Sequence, residues 1–241
     1  MKKILTTLQE KWAEYILEIL VITIGILGAF ALNNWNEERK TRASEFQALL
    51  DLKEEFQTNE ANFQGIINYK ANTKKRWNDF FNIINNNELP ESERAIMRPI
   101  AAIAEYTPIN SKLSSLLSSG KIENIRNDSL KNLLLSWPNV LLRYNMFEDM
   151  QANFVLDHLA PLELELVPYS RRETLEYLAS ELRINSYPDQ LLIEAFKDMA
   201  YQNALINNYH LLNKQIESAE VVNANFDLIL ELLSEEIENW Q

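Results

Sequence analysis

Few side chains in this 241-residue sequence are of the types that do chemistry at neutral pH. There is no Cys, so thiolate nucleophiles, disulfides and zinc–cysteine sites are excluded. The two histidines, His158 and His210, are the ordinary neutral bases available to activate a Ser or Thr. Neither sits in an H-E-x-x-H or comparable metal pattern. Asp157 precedes His158, but successive residues on a helix point about 100° apart, so adjacency does not make a dyad. Both histidines are expected at the surface or between helices. The acidic run "ELLSEEIE" at residues 231–238 reads as a solvated helix end and lacks the spacing of a calcium loop. No pair of close glycines outside residues 25–28 could cradle a phosphate. No enzyme activity, cofactor or metal is expected.

One carboxylate stands out by its surroundings. In "EYILEILVITIGILGAFALNNWNEERK", residues 14–40, Glu18 interrupts an otherwise apolar run. Residues 13–32 number twenty, which at about 1.5 Å per residue matches a hydrocarbon core of roughly 30 Å. Trp12 and Tyr15 at one end and Trp35 at the other suit the membrane interfaces. A signal peptide cleaved after Ala31 is the competing reading, since Ala29-Phe30-Ala31 is a small-x-small pattern. The length of the run, Glu18 and the closing Trp favour an uncleaved anchor. At about 100° per residue, Glu18, Ile22, Gly25, Ala29 and Leu32 share one stripe. Gly25-x-x-x-Ala29 lets helix backbones approach closely, so this stripe is the expected helix-association seam in the membrane. The alternative for Glu18 is a place near the headgroups, where it reaches water.

These residues need long helices to position them. Only four Gly occur, too few for the turns of a β-rich fold, and the expected class is all-α. Residues 1–12 are expected to be a cytoplasmic segment, 13–35 a transmembrane helix and 36–241 a helical extramembrane domain. Within the domain, a long helix over 37–86 continues from the span. Its 3–4 spaced positions include Phe46, Leu49, Phe56, Phe63, Ile67, Trp77, Phe81 and Ile84, interrupted by Lys53, Glu60, Lys70 and Lys74. "NNNELPES", residues 85–92, ends it.

Short helices are expected over 93–187. Asn110 or Ser111 can cap one that ends before Gly120, and Asn127 or Asp128 can cap the next, which Pro138 bends or restarts. "LAPLELELVPYS" leaves room for a short extended segment. Residues 189–240 read as one long helix, or two with a break near "SAEVVNAN". The two long helices are expected to pack antiparallel, with the middle third as a small cap at their far end. The Ser-rich stretch 114–129, with Lys121 and Arg126, reads first as a helix–turn–helix corner and second as a patch for an anionic partner.

The net charge of −12 falls entirely on residues 36–241, because Lys2, Lys3 and Lys11 balance Glu10, Glu14 and Glu18. An acidic body repels phosphates, which argues against nucleic acid and against lying flat on anionic lipid. Basic residues flank the span on both sides, so charge alone does not orient it.

Glu18-Ile19, Gly25, Ala31 and "LNNWNEERK" at residues 32–40 resemble the N-terminal signature of an uncharacterised family of single-pass bacterial envelope proteins, a domain of unknown function. "LLSSGKIENIRNDSLKNLL", residues 116–134, is similar to a later segment of that family. The resemblance implies a membrane anchor and a mostly helical extramembrane domain, and it transfers no catalytic residue. It also implies a location in the inner (cytoplasmic) membrane with the body in the periplasm. The expected function is non-enzymatic: a single-pass protein projecting an acidic helical domain for assembly or partner binding, as a homo-oligomer or within a membrane complex. The alternative is a channel or ion-coupled subunit that uses Glu18, and a minor one is a soluble protein released after Ala31.

Overall fold

The computed structural model describes residues 2–86, 103–166 and 194–240. Among these residues the chain is helical and contains no strand. Helix α1, Lys2–Asn86, runs 85 residues without a break. Such length follows from a stretch with no Pro and from three Gly that lie singly enough to leave the backbone ladder intact. A loop then leads to α2, Ser111–Ser118, and a 3-10 turn at Lys121–Asn124. Helix α3 spans Asp128–Phe154 and passes through a π turn, Val155–Leu159, into α4, Ala160–Leu166. After a helical turn at 194–197, α5 runs Met199–Glu238.

Three helices form the bundle: α1, α3 and α5. Phe56 stacks its ring 5.3 Å from Trp137, Phe63 sits 5.1 Å from Tyr144, and Lys70 bonds Glu148, so positions rise together along α1 and α3 and the two run parallel. Along α5 the order is reversed. Trp240 meets Phe46, Phe226 meets Phe63, and the Tyr209 hydroxyl bonds Asn78, so α5 is antiparallel to α1. The two long helices therefore pack as the sequence indicates. The middle third does not form a cap at their far end, because α3 lies alongside both as the third member of the bundle.

The apolar residues divide into two cores. The larger one contains Leu49, Leu52, Phe56 and Phe63 of α1, Leu130, Leu134 and Trp137 of α3, and Phe226, Ile229 and Leu233 of α5. The second holds Trp77, Leu159, Phe196, Tyr201, Leu205 and Leu212. Aromatic rings dominate the first, with Phe56, Phe63, Trp137 and Phe226 in tilted or edge contacts between 4.6 and 6.1 Å, the geometry their quadrupoles favour.

Several local expectations are met. Asn127 caps α3, its side-chain oxygen accepting the Leu130 N–H at 3.0 Å. Gly120 takes φ +69°, the left-handed conformation that ends α2. Others are corrected. Pro138 lies inside α3 without interrupting it. Residues 160–166 are helical rather than extended, continuing from the π turn with Pro161 as the second residue of α4. Helix α5 has no break near "SAEVVNAN"; the interruption falls earlier, at Asp198, whose carboxylate accepts the Tyr201 N–H and caps α5. The expected breaker from residue 87 onward, and the expected helix start at 189–193, lie outside the described residues, as does the side chain of Ile84.

Two glycines should respond oppositely to alanine. Gly65 is inside α1 with open space around the missing Cβ, so Gly65→Ala should raise stability by about 1 kcal/mol. Gly120→Ala should lower it by roughly 1–2 kcal/mol, the cost of an L-residue in left-handed space. Denaturant midpoints of the two variants check this; equal signs would contradict the helix end at Gly120.

Candidate functional site

The two carboxylates buried along α1, Glu45 and Glu55, bond backbone N–H groups of the segment that follows it. Glu55 directs its carboxylate at the start of α2, where Oε2 accepts the Lys112 N–H at 2.7 Å and Oε1 the Leu113 N–H at 3.0 Å. It supplies the cap that Asn110 and Ser111 do not, since Asn110 makes no side-chain cap bond. A carboxylate here also meets the positive end of the helix dipole. One turn on, Asn59 accepts the Ile109 N–H at 2.8 Å and donates to its carbonyl. Glu45 accepts the Arg126 N–H at 3.1 Å and lies 3.8 Å from the same residue's guanidinium. Residues 114–129 are thus the corner of a helix–turn–helix. The charges expected for an anionic partner there are partly occupied within the chain.

Between the two cores lies a polar layer. The Lys70 ammonium donates to the Glu148 carboxylate at 2.5 Å and to the Tyr144 hydroxyl at 2.9 Å. The other Glu148 oxygen accepts the Tyr106 N–H at 3.0 Å. On the α5 side, Gln215 donates to Gln151 at 2.8 Å and to the Phe147 carbonyl at 3.1 Å, and Gln151 donates to Asn208 at 2.8 Å. Lys70 is 2% exposed and Glu148 4%. Burial lowers the Lys70 pKa from its ordinary 10.5, and the hydrogen bond and charge of Glu148 oppose that shift. Burial, reinforced for Tyr144 by the Glu148 charge, pushes both tyrosines above their ordinary 10.0.

A second arrangement is open to solvent. A cavity of about 520 Å³ lies between the end of α3, the π turn and α5, and both histidines line it. His158 and His210 are exposed, as expected, yet they share one groove although 52 residues separate them. Asp157, Lys214, Asn153 and Asn207 complete its polar rim. Among the described residues no three His, Asp or Glu converge to hold a metal ion. Neither the buried layer nor the groove was legible as a unit: Lys70 read as a charged interruption of the apolar stripe on α1, nothing marked Glu148 as its partner, and the only sign of the groove was helical periodicity that brings 154–158 and 207–214 into one bundle.

The residues expected to associate in a membrane lie on the free part of α1. Glu18, Ile22, Gly25, Ala29 and Leu32 are all exposed, and a Cβ at Gly25 would meet nothing within 4 Å. The large apolar residues from Ile16 to Leu32 are between 49 and 68% exposed, on every side of the helix. Of the expected interfacial anchors, Trp12 and Trp35 are exposed, and the side chain of Tyr15 lies outside those described. Among the described residues, one helix is long and apolar enough to cross a membrane.

A family model described as "Family of unknown function (DUF6090)" matches residues 18–150, more than half of the chain, and the protein belongs to that family. Both stretches that carried the resemblance, 18–40 and 116–134, fall inside the match. No curated protein and no solved structure matches.

The buried pair gives two predictions. Lys70→Met leaves the Glu148 charge unpaired and should cost about 3–5 kcal/mol, whereas Lys70→Met with Glu148→Gln keeps an acceptor for Tyr106 and should recover much of the loss. Urea unfolding of the two variants is the check. Above pH 10 the unfolded chain releases tyrosine protons that the folded chain retains, so it binds fewer protons and stability falls with rising pH. Tyr144→Phe should flatten that fall.

Proposed function

We propose that this member of a family of unknown function is a non-enzymatic, single-pass membrane protein that projects an acidic three-helix bundle and uses it, and its span, for assembly or partner binding. The observation that carries the reading is the continuity of α1: one helix begins as a rod apolar on all sides and ends as a wall of the bundle. A helix hydrophobic all round belongs in a protein interior or in lipid, and among the described residues no other element covers residues 16–32. In the finer reading the span lies in the inner membrane, with the bundle on the periplasmic side.

The direction of the stripe supports self-assembly. At about 100° per residue, Leu49, Leu52, Phe56 and Phe63 project to the side of α1 opposite Glu18, Gly25 and Ala29. Two copies meeting along that stripe would hold their bundles outward, clear of each other. Ala61 and Gly65, both exposed, continue the same small-residue side beyond the span.

The absence of native Cys makes the test direct. In membranes, Leu32→Cys, on the stripe, should form disulfide dimers readily, and Leu27→Cys, on the opposite side, should not. Equal linking or none at Leu32 removes the self-assembly. Full-length chain extracted from membranes by alkaline wash would remove the span.

A further inference from the structure

We infer that the histidine-lined groove binds a small organic anion with a flat apolar body, such as an aromatic carboxylate. Its volume, about 520 Å³, lies in the range of small-molecule sites. One wall is apolar: Phe147, Met150 and Phe154 recur at helical spacing on α3, and Leu211 faces them from α5. The Phe154 ring lies 5.3 Å from the His158 ring, so aromatic surface continues onto the polar rim. A planar ring entering here would exchange water for aromatic and thioether contacts.

The rim selects the charge of the ligand. His158, His210, Lys214, Asn153 and Asn207 all offer N–H donors, against Asp157 as the one carboxylate lining the groove. The Lys214 ammonium is held at 2.8 Å by Glu217, which lies outside the cavity lining and fixes the cation at the edge. Lys74 of α1 also acts on Glu217, so a second ammonium approaches this edge of a chain whose net charge is −12. A carboxylate finds donors of matching chemistry here. A divalent cation does not, because no three ligating side chains converge.

The rim on this side ends in the π turn. Its wider i→i+5 turn acts as one inserted residue, a device frequent at functional sites. Asp157 and His158 lie within it, three and four residues beyond Phe154, and so keep to the groove-facing stripe of α3. Beyond the turn, Leu162 and Leu166 pack on the second core with Phe154 and Val155, while both histidines line the groove.

The chain's two histidines are also its reporters. Full-length protein labelled with ¹³C in the imidazole ring, in phosphatidylcholine nanodiscs, should give two histidine signals, assigned with His158→Gln and His210→Gln. Added 1-naphthoate should shift both along one saturable curve. The neutral isostere 1-naphthalenemethanol should bind at least about tenfold more weakly, and Lys214→Ala should weaken naphthoate by a similar factor, about 1.4 kcal/mol. Shifts of neither signal or of only one, equal binding of the neutral isostere, or naphthoate affinity unchanged in Lys214→Ala would each overturn the inference.

Discussion

A segment without regular structure can be packed against a helix only if its backbone groups find partners, and that constraint organises this fold. The chain must return from the far end of α1 to its near end before α3 can rise beside it. Parallel neighbours in a helical bundle require such a long connection. Residues 106–126 supply it, and their N–H groups are taken one after another by Glu148, Asn59, Glu55 and Glu45. Three of those four acceptors stand on the bundle-facing side of α1. Charge-assisted bonds to backbone N–H groups are among the stronger hydrogen bonds, so carboxylates that would otherwise be costly to bury become the fasteners of the loop.

This use of charge marks the boundary of what the sequence discloses. Helix α1 was legible because it lacks Pro and its apolar residues keep a helical period. Gly120 and Asn127 were legible because left-handed backbone and helix caps have narrow residue preferences. Glu45, Glu55, Lys70 and Glu148 were not, because a charged residue in a helical pattern is ordinarily solvated, and its burial depends on partners 40 to 80 residues away. The place of α3 was hidden for the same reason. Periodicity marks a helix and its apolar face but not its direction, and here the direction is set by where the loop is fastened. The convergence of His158 and His210 depends on how α3 and α5 are set against each other, which the periodicity of neither helix states.

The polar layer has a further structural consequence. Two apolar cores in series would tolerate helices sliding by a turn, since leucines and phenylalanines repack with modest loss. A layer containing Lys70, Tyr144 and Glu148 on one side and Gln151, Asn208 and Gln215 on the other does not tolerate it. A slip of one turn, about 5.4 Å, would set the ammonium against apolar neighbours and leave a carboxylate and a backbone N–H unpaired. The layer therefore pins the register of α1, α3 and α5 to one another.

Register matters here because α1 is also the connection to the apolar stretch. From Leu32 to Lys70 the helix rises about 57 Å at ~1.5 Å per residue with no break to absorb a rotation. Under the proposed membrane reading, a change in how the spans pack would turn the whole bundle as a rigid body, because the pinned register leaves α3 and α5 no independent slide. The same rigidity runs in reverse. A ligand seated between α3 and α5 touches two of the three pinned helices, and any preference it has for one spacing between them must be expressed at α1 or be resisted by the Lys70–Glu148 contact. The polar layer, rather than either apolar core, is therefore the part of the bundle where events at the groove and events at the span would meet.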